Sequence, residues 1–246
     1  MAIAQEILSH EGSAEYVAKV MVKSIFKDYT LQDWIKPFLS VTKSFDCPVL
    51  TTNYDISLGK ILHLEQRTLS GLNYTRSRYS FETFETYFAP TPIKQPWNSF
   101  AIWHIHGLYN YVNSIRIGKS DYEVLLREIL NRLSQTREPK TDENWSGNNT
   151  WLSILFRKNL FIWGLGLKQD ESVLWWLLEE RVKYGLKGWY VCRDMEDITT
   201  DKINKLQYVG LNVIKVDNSD LHENVWKNIL SKLDAVGTDD LNNLEY

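Results

Sequence analysis

Two short strings hold the side chains best suited to chemistry: TTNYD at Thr51 to Asp55 and WHIHG at Trp103 to Gly107, each closing an apolar run. In the second, His106 stands where a strand gives way to a turn, and Gly107 lets backbone or ligand approach closely. An imidazole that titrates near neutrality accepts a hydroxyl proton at cellular pH, so His106 is the candidate general base. His104, two residues earlier, shares its strand face and reads first as a hydrogen-bonded core histidine. In the first string, Asn53 offers two donors and an acceptor without titrating, which suits it to orient a water or hydroxyl at a reacting carbon. Read alone, TTNYD also fits a plain strand-to-helix turn in which Asp55 caps the next helix, and His106 also fits a structural strand-end histidine. The pairing of the two strings favours chemistry.

The elements that must position these residues are short apolar strands alternating with helices. Pro48-Val49-Leu50 begins a first strand ending at Asn53, and Phe100 to Ile105, Leu160 to Trp163, Trp189 to Cys192 and Asn212 to Val216 follow the same grammar. Helical spacing covers residues 3 to 27, Asp121 to Leu133 and Glu171 to Tyr184, the last closed by Gly185. Thr30 is placed to cap another helix, with Pro37 limiting its interior. Near-continuous apolar strands between helices imply a sheet covered on both faces. The expected fold is therefore α/β, a Rossmann-like three-layer sandwich with a mainly parallel sheet. In such sheets ligands bind beyond the carboxyl ends of the strands, which here carry Asn53, His106, Gly164, Arg193 and Asp217. Residues 1–236 read as a single domain. Residues 66–98, with prolines at 90, 92 and 96, read as an extended insertion, 137–150 as a mobile loop and 237–246 as an acidic tail.

Composition narrows the function classes. At 246 residues, 43% hydrophobic and 24% charged, the chain supports one sizeable core. Its formal charge of -3 gives no global basic field, so nucleic acid is not expected as a partner, and with no apolar stretch long enough to cross a bilayer neither is a membrane. A cytoplasmic location is expected, since no signal-peptide pattern or membrane-length apolar run is evident. Cys47 and Cys192 stand far apart in separate apolar segments, which suits reduced core residues rather than a disulfide framework.

The two strings, together with SDYEVLL at Ser120 to Leu126, WGLGLKQDESV at Trp163 to Val173 and the late strand GLNVIKVD, resemble the sirtuin-like (SIR2-like) domains of bacterial antiphage defence over about residues 40 to 232. The resemblance implies NAD as substrate and cleavage of its nicotinamide–ribose bond. It places Asn53 and His106 at the positions of the catalytic pair. It also puts Thr51, Thr52, Asp55 and Gly107 in the pocket, Gly164 and Gly166 at the turn against the nucleotide ribose, and Asp121 and Asp170 at further family positions. For Asp121 the residues favour structure, because Ser120-x-x-Glu123 is a capping-box pattern. Asp170 fits a helix cap equally well.

Two departures shape what the resemblance implies. Such domains open with a strand and a glycine-rich turn that holds the NAD pyrophosphate, whereas Gly12 is the only glycine ahead of Gly59 in this sequence. Completion by another chain, a longer polypeptide, a degenerate pocket and compensation by Arg76, Arg78 or Lys94 all remain open. Protein-deacetylating sirtuins carry a four-cysteine zinc ribbon, which two cysteines cannot supply, so no metal is expected and water becomes the simpler acceptor of the ribosyl group. The implied protein is an NAD hydrolase subunit of a homo-oligomer or of a hetero-complex with a sensor. A catalytically inactive nucleotide-binding scaffold and an ordinary Rossmann-like enzyme acting on another nucleotide remain the alternatives.

Overall fold

The computed structural model describes residues 14–27, 29, 35–69, 81–168, 171–193 and 198–216. Its first helix, α1 (Ala14–Phe26), turns Val20 and Val22 inward and leaves Met21 and Ile25 exposed, so the apolar stripe is narrower than its spacing predicts. The part of that predicted helix before residue 14 lies outside the described residues, as do Thr30, Asp217 and the tail 237–246. Helix α2 (Lys36–Ser44) corrects the reading of Pro37: the proline stands in the first turn, where a missing N–H leaves no intrahelical bond unmade. It starts the helix instead of limiting it.

Strand β1 (Val49–Thr51) leads through the TTNYD string into a short helix, α3 (Ser57–Ile61). Then come β2 (Glu65–Thr68), β3 (Thr86–Ala89) and β4 (Ile102–His104), and these four strands form a sheet in the order β1-β4-β3-β2. Only β1 and β4 run parallel in it, with Thr51 opposite His104, while β3 pairs antiparallel with both β4 and β2. Helix α4 (Lys119–Leu133) and helix α5 (Trp151–Arg157) lead to β5 (Leu160–Trp163), α6 (Ser172–Val182), β6 (Gly188–Arg193), α7 (Thr200–Tyr208) and β7 (Leu211–Val216). Strands β5, β6 and β7 form a second, wholly parallel sheet. The fold is α/β, but the expected single, mainly parallel sheet is two hydrogen-bonded sheets among the described residues, one of them mixed. The antiparallel members lie between Glu65 and Ala89, almost wholly within the stretch read as an insertion, where EQRT carries no apolar run and TYFA no alternation.

Apolar cores cover both faces of β4. Trp103 and Ile105 join Tyr87, Trp151 and the apolar residues of α5 and α6 on one side, and Ile102 joins Leu39, Phe88 and Phe100 on the other. Leu50 of the first sheet and Ile162 and Val213 of the second pack against the same larger core. Arg181, fully buried on α6, ties this half together. Its Nε donates to the Leu155 carbonyl at 2.7 Å and its Nη2 to the Lys158 carbonyl at 2.9 Å, so it closes the carboxyl end of α5. Burial lowers its pKa to about 10.

The stretch 137–150, read from composition as a mobile loop, is anchored by Trp145. Its ring is buried and Nε1 donates to the Arg132 carbonyl at 2.7 Å. Arg157 holds the same stretch through the Asp142 carbonyl and Asn148, and Thr150 caps α5 by accepting from Leu152 N. Cys47 is exposed and not a core residue, whereas Cys192 is half-buried in β6. No helix among the described residues is long and apolar enough to cross a membrane.

Candidate functional site

Pairing of β1 with β4 sets the two strings side by side. Ile105 N donates to the Thr51 carbonyl at 3.0 Å, carrying the parallel ladder one rung past the strands, and beyond it Asn53 and His106 leave the sheet at neighbouring ends. Their surroundings differ sharply. Asn53 is exposed, with its N–H donating to Thr51 Oγ1 at 3.1 Å, so Thr51 shapes the turn that presents it. Thr52 is half-buried between them. His106 is only 3% exposed and lies edge-on to Tyr122 of α4, with ring centroids 5.5 Å apart. Burial, and then the positive charge of Arg116, lower the His106 pKa to about 4. The ring is therefore neutral at pH 7, and its Nε2 has no hydrogen-bond partner among the described residues.

Asp55 is buried, and its carboxylate accepts from Ser57 N at 2.9 Å, holding the entry to α3 as an Asx turn does. Gly107 has φ +89, and a Cβ there would lie 2.1 Å from the Ser114 carbonyl oxygen, so the turn after His106 admits only glycine without rearrangement. Gly164 and Gly166 follow β5 and are exposed. The loop they belong to is braced from behind: Tyr190 donates to the Leu165 carbonyl at 2.7 Å, and Lys202 donates to that of Gly166. Asp121 is structural. Lys19 of α1 pairs with it at 2.6 Å, and it accepts from Ile117 N and Gly118 N, which makes Gly118 and Asp121 the pair that opens α4 in place of Ser120 and Glu123. Ser120 instead donates to Glu15 of α1. Asp170 lies outside the described residues, as do Arg76, Arg78 and the side chain of Arg193.

Two residues that sequence reasoning left without a role join the strings. The Arg116 N–H donates to the His106 carbonyl at 2.9 Å, and the Arg116 carbonyl accepts from the Tyr54 hydroxyl at 2.7 Å. Burial, with Tyr122, Asp121 and Glu171 adding negative charge, pushes the Tyr54 pKa above the ordinary tyrosine value and keeps the phenol a donor. Tyr54 was visible inside TTNYD. Arg116 carried no signal, because the backbone of any residue would make these bonds. Its side chain helps line a cavity of about 260 Å³ with Phe81, Glu85, Asn113, Glu128 and Arg132, and neither Asn53 nor His106 lines that cavity. Among the described residues no cluster of three or more His, Cys, Asp or Glu side chains is placed to hold a metal ion.

One comparison bears on this arrangement. The family model of the SIR2-like domain matches residues 48–175, just over half of the chain, and that span holds both strings, the Gly164 to Gly166 turn and the start of α6. Searches of curated proteins and of solved structures found no match. The span begins one residue before β1 and takes in the whole first sheet together with β5, so the chain belongs to the SIR2-like domain family.

Proposed function

We propose that the chain is a sirtuin-like NAD hydrolase subunit acting in antiphage defence. The observation that carries this reading is the juxtaposition of Asn53 and His106 just past the register pair Thr51 and His104, inside the matched SIR2-like span. The reading takes the two sheets as the middle of a Rossmann-like three-layer sandwich, which the apolar cores on both faces of β4 support. In the reaction, the bond between C1′ of the ribose and the nicotinamide nitrogen breaks, and its electron pair leaves with nicotinamide. Water adds to C1′, giving ADP-ribose and a proton. The Asn53 carboxamide orients the water, and the neutral His106 ring accepts a proton. Thr51, Thr52, Asp55 and Gly107 shape the pocket around the pair, and Gly164, Gly166 and Asp170 are assigned to the nucleotide. Within these 246 residues no glycine-rich turn precedes β1, so the groups that hold the pyrophosphate are assigned to a second copy, a sensor partner or a further part of the polypeptide.

A second reading, a catalytically inactive nucleotide-binding scaffold in a defence complex, is favoured by the near-complete burial of His106 and by a cavity that neither string lines. Incubating NAD with the full chain, alone and with the subunits that copurify from its host, separates the two. Equimolar nicotinamide and ADP-ribose, formed with chelator present, supports hydrolysis. A folded native complex that releases neither product leaves the scaffold.

A further inference from the structure

In a parallel ladder whose Ile105 N donates to the Thr51 carbonyl, the next two rungs would run from Asn53 N to the Ile105 carbonyl and from Gly107 N to the Asn53 carbonyl; Asn53 N donates to Thr51 Oγ1 instead, and the rung to the Asn53 carbonyl is left to be made. That rung is missing. Gly107 N donates back to the His104 carbonyl at 3.1 Å, because the chain has already turned to bring His106 out of the sheet. The Asn53 carbonyl meets the imidazole of His104 instead, with Nδ1 at 3.0 Å. A carbonyl only accepts, so Nδ1 carries the proton. The other ring nitrogen, Nε2, is buried with no partner among the described residues, and the ring lies edge-on to Phe88 at 5.4 Å.

We propose that His104 is a positioning residue, whose Nδ1–H replaces the missing rung and fixes the backbone of Asn53 where the sheet has let go of it. This role rests on the reading of Asn53 and His106 as the pair that acts on NAD. The turn that frees His106 would otherwise leave the Asn53 carbonyl unheld, with only the N–H fixed by Thr51, and a carboxamide orients water only as well as its own backbone is held. The environment keeps the ring in the required state: burial lowers its pKa to about 4, against smaller opposing effects from its bond to Asn53 and from Asp55, so it stays neutral and donates from Nδ1 alone at pH 7. A ring used only as core filler would make the same contact with Phe88 without aiming a proton at the neighbouring string.

Three variants test the role. His104→Leu keeps an apolar body against Phe88 and removes the donor, His104→Asn puts an amide N–H where Nδ1 stands, and His104→Gln puts one where Nε2 stands. With NAD as substrate, the Leu and Gln variants are expected to lose about tenfold or more in kcat at nearly unchanged KM, and the Asn variant to recover most of that loss. In parallel, the ¹⁵N shifts of the wild-type ring should report the Nδ1–H tautomer. The Asn53 carbonyl ¹³C shift should move in the Leu variant and return in the Asn variant. A ring in the Nε2–H tautomer overturns the proposal, as do equal rates for Leu, Asn and wild type. Should wild type release no nicotinamide, the hydrolase reading falls, and the Asn53 carbonyl shift still decides whether His104 holds that backbone. Should the Leu variant fail to fold, the tautomer and the comparison of Asn with Gln decide.

Discussion

After β4 the chain turns through Gly107 at φ +89, and a Cβ there would lie 2.1 Å from the Ser114 carbonyl oxygen; after β5 it turns through Gly164 at φ +68, and nothing lies within 4 Å. Both positions have a backbone conformation that favours glycine, yet only one is crowded. The crowded turn belongs to a sheet end where His104, His106 and Asp55 are all nearly buried. The open turn belongs to a loop whose two glycines face solvent and whose carbonyls are held by Tyr190 and Lys202. The first end is built to fix side chains, and the second leaves backbone accessible.

Substitution at the crowded end should have the largest effect. Gly107→Ala combines a left-handed backbone penalty with a clash against rigid backbone, together about 2–5 kcal/mol. That is a large part of the stability of a typical domain, so the denaturant midpoint should drop sharply or the soluble protein should be lost. A midpoint within experimental error of wild type would show that the turn relaxes and that the comparison with Gly164 is empty.

Acid should also find the crowded end first. His104 and His106 are neutral in the fold with pKa values near 4, while in the unfolded chain each takes a proton near 6.5. Between those values the unfolded state binds more protons, so stability falls as pH drops from 6.5 towards 4 and is fully present above 6.5. The loss approaches roughly 3 kcal/mol for each ring across that window. His104→Asn, which cannot titrate, should lose about half of the dependence, measured as unfolding free energy against pH. A slope unchanged by that substitution would place the acid sensitivity elsewhere.

How far the sequence foretold this contrast depends on the kind of signal each half sends. The apolar run gives the bounds of β5 to the residue, and Asn53 and His106 leave neighbouring strand ends, but the burial that such runs imply fails at β5, where Phe161 is exposed and the other three residues are half-buried. Strands β2 and β3 are hidden, since EQRT is polar throughout and TYFA lies inside a stretch whose prolines read as an insertion. Composition says nothing of the contacts that hold 137–150, where Trp145 reaches the Arg132 carbonyl and Arg157 reaches Asp142 and Asn148 in a stretch otherwise made of turn-formers. At Asp121 the motif names the wrong pair and a start two residues late: Gly118 and Asp121 open the helix, and Ser120 is engaged by Glu15 from α1. The link through Arg116 could not be read at all. It uses backbone atoms that every residue has, and only the fold sets them between Tyr54 and His106.

Within the crowded end, Asn53 and His106 should separate from the frame that holds them. His106→Ala should lower kcat for NAD cleavage by roughly 10²-fold, a barrier change of about 2.7 kcal/mol, with the fold retained. Asn53→Ala should lose a similar factor with less effect on stability, since Asn53 is exposed and His106 is not. The acid limb of kcat/KM should lie below pH 5, because the base is already neutral there. An acid limb near 6.5 would mean that the active ring is solvated and that His106 moves out of its buried place on binding. Folded variants with wild-type turnover would end the assignment of either residue.

The smallest effect on the fold is expected at the open end, and it sharpens the comparison most. Gly164→Ala meets no atom, so its cost is that of the left-handed backbone alone, about 1–2 kcal/mol. The denaturant midpoint should therefore move far less than for Gly107→Ala. If this loop is where the nucleotide approaches backbone, the added methyl should obstruct the ligand rather than the protein, raising KM for NAD about tenfold, or about 1.4 kcal/mol, while kcat changes little. Measuring both constants beside the unfolding midpoint tests this. A kcat loss at constant KM would assign Gly164 to the same task as Asn53 and His106. A wild-type KM would remove the turn after β5 from the nucleotide site and leave the end of β1 and β4 to bind NAD without it.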